Sequence, residues 1–308
     1  MTDKTILRTT LAIALLAAAA CTKTAVSVQP GGSAYISFST AVSRAAVDDA
    51  SGISEFGVWL FKDTSPVLAG ERVYLSGGSW VYDNLCRWTD GPHLFGAFHP
   101  YGLPKNVIDL VLEVDKEQGT ADGFQIRYYN GSTGEHDLMT AVYTRTFDSA
   151  APDTSPVPLR FGHLLSRIRV EAVAGSGEVT LKSVEFSGMG VYGTYNYETD
   201  DKWVVTRIGE HTPPGSFTVS DLTVAAGTPT PLFKEDLLLI PQDVTSSITL
   251  KVNYTSAGET ADRTFTLPEA TDWEEGKSYR YTLKFNMEDV SLGVTVADWT
   301  VVDTSVEW

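Results

Sequence analysis

Basic residues and cysteines are scarce in this 308-residue chain, and each shortage excludes a class of function. Lysine and arginine together number 23 against 39 aspartates and glutamates, which gives a formal net charge of −16 at pH 7. No basic cluster offsets this excess, so the chain is not expected to bind a phosphate backbone, and no nucleic-acid partner is predicted. Its two cysteines allow at most one intrachain disulfide, so stability must come mainly from packing.

The N-terminal apolar run is too short to be a permanent membrane span. Leu11–Ala20 contains ten residues, whereas a helix needs about 20 to cross a bilayer. Lys4 and Arg8 precede this run and Cys21 follows it directly, which is typical of a lipoprotein signal peptide covering residues 1–20. Its removal deletes two cations and the anion Asp3, so the formal charge becomes −17.

A mature chain that begins at Cys21 is expected to carry a diacylglycerol on sulfur and an acyl chain on the new amino terminus. Two or more chains make membrane attachment stable. The alternative is an ordinary secretory cleavage near Ala20, and both alternatives export the chain. With Cys21 lipidated, Cys86 would be alone, without a disulfide, and would pack as a small half-buried hydrophobic residue.

Helical periodicity is also missing after the signal peptide, and short runs with period-2 alternation replace it. These runs predict an all-β protein. The strand candidates are 34–39, 56–61, 79–82, 93–98, 107–114, 124–129, 165–174, 179–187, 202–207, 237–240, 247–254, 263–267 and 278–286. With about seven short strands in each half, the pattern indicates two tandem Greek-key β-sandwiches.

The domain boundary is predicted in a proline-rich segment. Residues 147–158 carry three prolines and cannot belong to a central strand, because proline lacks the backbone donor that a ladder needs. We therefore expect an N-terminal sandwich over residues 21–158 and a C-terminal sandwich over residues 159–308.

No catalytic, cofactor or metal site is predicted, and the chain is not expected to be an enzyme. Gly188–Gly193 satisfies the G-x-G-x-x-G pattern, but strand and turn residues follow where a dinucleotide site requires a helix. The histidines lack metal-ligand spacing, and no serine lies in a nucleophile motif. Asp148-Ser149-Ala150 resembles a short tripeptide used for O-glycosylation of exported bacterial proteins, so Ser149 is a candidate glycosylation site.

Several segments, in their shared order, resemble the fimbrillin family of two-sandwich lipoproteins that assemble into surface fimbriae. The segments are the lipobox at Cys21, Tyr35–Phe38 with Arg44-Ala45 downstream, Phe56–Phe61, Leu94–Tyr101, Asp137–Ala141, Phe161–Val170, Leu237–Gln242 and Trp273–Leu283. The resemblance implies transthyretin-like sandwiches and a scaffold rather than a reaction. In this alignment of motifs, His163 opens the first strand of the second sandwich, and a turn at residues 273–276 feeds the alternating residues Tyr279, Tyr281 and Leu283.

The resemblance also implies how the subunit assembles. The lipid delivers the precursor to the outer membrane, and a trypsin-like protease cuts after a basic residue in the loop that follows the first strand. That strand then leaves a groove that a neighbour fills by strand addition. Arg44, followed by Ala45, is the best cut site because residues 39–52 form a polar loop. Lys23 is an alternative that precedes the strand, and Arg44 could also be an ordinary solvated loop charge.

The C-terminal tail is the candidate donor strand. Residues 290–297 alternate apolar and polar, and the alternation returns after Trp299 with Val302, Val306 and Trp308. We expect residues 290–297 to form the last strand of the chain's own second sandwich and residues 300–308 to act as the donor. The alternative is that both stretches belong to the chain's own sandwich.

Two classes of function remain from the sequence. The first is a structural subunit of a cell-surface fimbrium that contributes to adhesion, with other fimbrial subunits, the outer membrane, a processing protease and a host-surface ligand as partners. The second is a monomeric outer-membrane lipoprotein that binds glycan or host protein, or an uncleaved fimbrial anchor or tip subunit.

Overall fold

The computed structural model confirms the predicted all-β class. It describes residues 21–23, 35–42, 53–62, 65–103, 108–115, 120–129, 136–196, 202–205, 215–267, 272–286 and 289–299. These ranges contain 22 strands and no helix. Consequently none of the described residues belongs to a helix long and apolar enough to cross a membrane.

Eleven strands lie in the first half of the chain. They are β1 (Cys21–Lys23), β2 (Phe38–Val42), β3 (Glu55–Lys62), β4 (Ser65–Ser76), β5 (Ser79–Val81), β6 (Asn84–Cys86), β7 (Gly91–His99), β8 (Ile108–Asp115), β9 (Thr120–Tyr129), β10 (Met139–Phe147) and β11 (Val157–His163). Seven of them form one sheet in the order β2-β11-β10-β7-β3-β4-β5, so β2 is an edge strand. Strand β2 runs parallel to β11, whereas the other pairs in this sheet are antiparallel.

The second half contributes the other eleven strands. They are β12 (Ser166–Ala174), β13 (Val179–Met189), β14 (Tyr192–Asn196), β15 (Trp203–Val205), β16 (Gly215–Val224), β17 (Thr230–Pro231), β18 (Leu237–Leu239), β19 (Thr249–Ser256), β20 (Glu259–Thr266), β21 (Lys277–Phe285) and β22 (Val290–Asp298). One sheet has the order β17-β12-β21-β22, with β18 also paired to β12, and a second has the order β16-β13-β19-β20. A third, β15-β14-β9-β8, combines two strands from each half.

Alternation of apolar residues explains the central parallel pair of the second half. The register of β12 and β21 places buried residues opposite one another, so one face of both strands is apolar along its length. The buried pairs are Ile168 with Tyr279, Val170 with Tyr281, Ala172 with Leu283, and Ala174 with Phe285. The predicted turn before β21 is present, and Trp273 Nε1 donates to the Tyr281 hydroxyl oxygen at 2.9 Å.

The interior divides into two large apolar cores and one smaller cluster. The first core takes its buried residues from Ile36 to Phe161, and the second takes them from Ile168 to Val290. The chain therefore changes from one core to the other within a few residues of His163. The smaller cluster draws on both halves, with Phe98, Ile126, Tyr128, Leu138, Leu164, Leu165, Tyr195, Ile240 and Trp299.

Two sequence-based expectations for this junction were wrong. His163 ends β11 rather than opening a strand of the second half, because its backbone pairs with Met139 of β10. Pro158 was excluded from any central strand, yet it lies in β11 between β2 and β10. Pairing with β10 starts only at Gly162, so the strand makes no ladder contact with β10 at Pro158 and the missing donor costs nothing there.

Candidate assembly site around the first strand

The segment Tyr35–Val42 consists of β2 and the three residues before it, and we call it the first strand because it begins the first core. Strand β11 is hydrogen-bonded to one side of this segment. The register runs from Phe38 opposite Val157 to Val42 opposite Phe161. At the start of this ladder, the backbone N–H of Val157 donates to the Ser37 carbonyl oxygen at 2.7 Å. The pairing is parallel and joins residues more than a hundred positions apart in sequence. No short hairpin turn therefore links the segment to β11.

The other side of the same segment contacts the chain around Cys86. The backbone N–H of Ile36 donates to the Cys86 carbonyl oxygen at 2.8 Å, and Tyr35 forms an antiparallel bridge with Arg87. The Arg87 guanidinium carbon lies 4.1 Å from the centre of the Tyr35 ring, and its Nη2 donates to the Tyr35 hydroxyl oxygen at 2.7 Å. Removing the segment would therefore leave unpaired backbone groups on both walls of the space it vacates.

The inward face of the segment fills an aromatic pocket. Ile36 and Phe38 are 2% and 5% exposed. The Phe38 ring packs edge-on against three rings, with centroid distances of 6.2 Å to Phe56, 5.5 Å to Tyr82 and 6.3 Å to Phe95. Each buried side chain of this size contributes roughly 1.5–3 kcal/mol through apolar burial, so the vacated groove would favour a new apolar strand.

Tyr82 anchors the segment to this pocket. Its hydroxyl donates to the Ile36 carbonyl oxygen at 2.8 Å and accepts from the Cys86 backbone N–H at 3.2 Å. Burial raises the pKa of the Tyr82 hydroxyl to about 12, so it remains a donor at neutral pH. Nothing in the sequence marked this residue beyond its place at the end of a predicted strand.

We expect Tyr82→Phe to lower the free energy of unfolding by about 1–3 kcal/mol, because Ile36 oxygen and the Cys86 N–H lose a buried partner. Urea denaturation of the purified chain measures this change. Tyr129→Phe is the matched control because Tyr129 is 36% exposed. Equal stability of the two variants would show that the hydroxyl does not hold the segment.

The predicted processing and donor residues lie outside the described residues. These are Arg44, Ala45, Val302, Val306 and Trp308. The predicted last strand is present as β22, which ends at Asp298. Trp299 then stacks on His163 with a centroid distance of 4.0 Å, and its backbone N–H donates to the Gly276 oxygen at 2.8 Å. The tail therefore starts from a fixed point at the junction of the two halves.

The expectation of a lone Cys86 was wrong for the folded chain. Strand β1 pairs with β6 so that Cys21 lies opposite Cys86, Cys86 is disulfide-bonded, and no described cysteine is free. With only two cysteines in the chain, the disulfide joins Cys21 to Cys86. A thioether-linked lipid would use the same Cys21 sulfur, so lipidation and this disulfide exclude each other.

The candidate glycosylation residue lies in an exposed turn after β10. The Ser149 backbone N–H and hydroxyl donate to the two Asp90 carboxylate oxygens at 2.6 and 2.9 Å. These hydrogen bonds lower the pKa of Asp90. Asp148 Oδ1 accepts from the Ala150 N–H at 2.8 Å, which fixes the turn around the serine.

The glycine pattern and the possible metal-ligand groups are two further features of the described part of the chain. Gly188 and Gly193 lie within strands β13 and β14, so the glycine pattern is part of a sheet rather than a phosphate-binding turn. No group of three or more His, Cys, Asp or Glu side chains in the described ranges is placed to hold a metal ion.

Comparison with known proteins places this architecture in a family. A profile described as fimbrillin-like matches residues 43–299. The fold is similar to that of a fimbrial protein from Bacteroides vulgatus ATCC 8482, with a TM-score of 0.61 and 17% identity, covering 86% of this chain and 99% of that one. A protein assigned to cell adhesion from Bacteroides uniformis ATCC 8492 has a TM-score of 0.52 and 16% identity, covering 87% and 100% of the two chains.

A second protein assigned to cell adhesion, from Bacteroides ovatus ATCC 8483, has the same TM-score of 0.52 and 16% identity, covering 87% of this chain and 98% of that one. At such identities the likeness concerns the fold alone. A search among proteins of curated function finds no match. Because the family profile covers most of the sequence, from residue 43 to residue 299, the chain belongs to the fimbrillin-like family.

Proposed function

We propose that this protein is a structural subunit of a cell-surface fimbrium, exported as a lipoprotein to the outer membrane and assembled by protease-triggered strand exchange. The observation that carries the proposal is the first strand itself, which is hydrogen-bonded to β11 on one side and to the chain around Cys86 on the other and is packed into an aromatic pocket. The family match, which covers residues 43–299, also fits a body that begins near the proposed cut and ends before the tail. Membership of the family and the fimbrial and adhesion proteins that share the fold support the same role in adhesion.

The proposed sequence of events follows from the geometry of the segment. In the lipidated chain, which lacks the Cys21–Cys86 disulfide, a cut after Arg44 leaves the first strand retained only by its own contacts. Its departure exposes the pocket lined by Phe56, Tyr82 and Phe95 and leaves backbone groups unpaired. The tail of another copy, residues 300–308, then fills the groove, and the Greek-key sandwiches act as the rigid body of each subunit.

Limited proteolysis tests this proposal directly. Purified precursor, first reduced to open the disulfide and then treated with trypsin, should form a ladder of oligomers that resists unheated SDS, because each groove is filled by a neighbouring chain. The variant Arg44→Ala should stay monomeric under the same treatment, whereas Arg44→Lys should form the ladder. Cleavage after residue 44 without any oligomer would contradict strand exchange.

Lipidation at Cys21 is part of the proposal and has its own consequence for Cys86. The lipidated chain cannot contain the Cys21–Cys86 disulfide, so Cys86, which is fully buried, should then carry a free thiol. Membrane-derived protein should therefore be alkylated at Cys86 only after denaturation, and its mass should include the acyl chains. A membrane fraction that contains the disulfide would contradict lipid attachment through this sulfur.

We further propose that Ser149 carries an O-linked glycan in the mature protein. Its turn is exposed, and its hydroxyl donates to the exposed Asp90 carboxylate. Ser149→Ala should remove a glycan-sized mass from the exported chain, as measured by intact-protein mass spectrometry. Ser155→Ala, in the same exposed segment, is the control that should leave the mass increment in place. An unchanged increment in the Ser149 variant would exclude this site.

A further inference from the structure

Arg160 is a cation without a partner at the edge of the groove. It is exposed on the outward face of β11, and within the described part of the chain it takes part in no hydrogen bond or ion pair. It lines a cavity of about 250 Å³ at the junction of the two halves. The other two basic side chains in that lining already have carboxylate partners, since Lys202 pairs with Glu275 at 2.8 Å and His163 pairs with Asp137 at 2.9 Å.

The first strand offers Arg160 nothing to pair with. In the parallel register of β2 and β11, the residue directly opposite Arg160 is Ala41. The register places positions 38 and 40 opposite the buried residues Val157 and Leu159, so position 41 of any strand that fills the groove in this register is on the other face, opposite Arg160. The occupant of position 41 therefore decides whether Arg160 gains an ion pair.

The tail would supply an acidic residue at that position. Residues 302–308 match positions 36–42 in number, and their apolar row, Val302, Thr304, Val306 and Trp308, falls on the inward positions. Ser305 then takes the place of Ser39. The two acidic residues are symmetric about Ser305, so position 41 receives Glu307 if the tail runs parallel to β11 and Asp303 if it runs antiparallel.

We propose that Arg160 selects the C-terminal tail of a second copy by pairing with its outward carboxylate, a contact that the chain's own first strand does not make. This inference rests on the proposed strand exchange. Processing after Arg44 removes four cations and the anion Asp3 and changes the formal charge from −16 to −19, so two processed copies repel one another and an attractive pair at the junction favours correct docking. The Arg160 side chain is exposed, so its guanidinium is accessible to an incoming carboxylate.

Charge reversal tests the pairing. Arg160→Glu should slow ladder formation about tenfold, because a like charge faces the incoming acid. In a chain that carries Asp303→Asn and Glu307→Gln, which adds no trypsin site to the tail, Arg160→Glu should no longer slow the ladder. Arg263→Glu, which changes the charge equally at an exposed site on β20, should have no effect. Thermal unfolding of each monomer establishes that the variants fold equally well.

The possible outcomes separate this inference from the proposal on which it rests. If Arg160→Glu forms ladders at the wild-type rate, or if it slows them equally in the chain with the neutral tail, Arg160 does not select the tail, although strand exchange stands. If the processed wild-type chain forms no ladder at all, strand exchange itself is overturned and the inference falls with it.

Discussion

Chains in which Asp replaces both Val302 and Val306 should remain soluble monomers after processing, with no ladder of oligomers. In the proposed polymer these two side chains enter a pocket whose walls are aromatic, and a carboxylate buried there without a partner is unfavourable by several kcal/mol. The monomer should fold normally, because in the proposed polymer these two side chains are buried only in the groove of another copy.

The control for this experiment is an acid on the other face of the tail. Ser305→Asp adds the same charge at an outward position of the proposed donor, so its ladder should form. The comparison is made on unheated SDS gels after trypsin treatment of equal amounts of each chain. A ladder of wild-type intensity from the double variant would exclude residues 302–306 as the donor.

Among glycine-to-alanine substitutions in the described part of the chain, Gly188→Ala should lower the free energy of unfolding most. Gly188 lies in β13 with a φ of +98°, and a Cβ there would lie 1.9 Å from the Ser247 carbonyl oxygen. Backbone strain of this kind costs about 1–3 kcal/mol, and displacing the neighbouring strand adds to it, so we expect a total above roughly 3 kcal/mol.

Gly293→Ala is the matched control, because Gly293 lies in β22 with nothing within 4 Å of an added Cβ. Its φ is not in the left-handed region, so the substitution should leave stability within about 1 kcal/mol of wild type. Chemical denaturation of both variants measures the difference. Equal midpoints would mean that the approach of β13 to Ser247 is looser than the structure indicates.

Local alternation was enough to predict most of the strands but not their pairing. Strands β3, β7, β12 and β21 appear close to their predicted positions, because each carries a clear apolar row that enters a core. Strand β4 lies outside the predicted strands, and it contains Pro66 and Gly70, two residues that interrupt a regular strand pattern. In the structure Gly70 has a φ of +73° and lies close to the Trp59 ring, and the β3–β4 register shifts twice nearby.

The candidate site was predictable in its first strand and not in its surroundings. Tyr35–Phe38 was marked by its alternation, but its partner β11 begins at Val157, which lies between two strand-breaking residues, Pro156 and Pro158. A parallel pairing between Phe38 and Val157 leaves no local trace in the sequence. The contacts of Tyr82 with Ile36 and Cys86, and the position of Arg160 opposite Ala41, leave none either. Such contacts follow from the tertiary arrangement rather than from the local pattern.

The N-terminal sequence and mass of protein sheared from the cell surface test the central claim most directly. The account predicts a sheared species that begins at Ala45, without the first strand and without lipid, alongside a membrane-bound precursor acylated at Cys21. A surface protein that begins at Cys21 in every fraction, with the first strand retained, would contradict assembly by strand exchange.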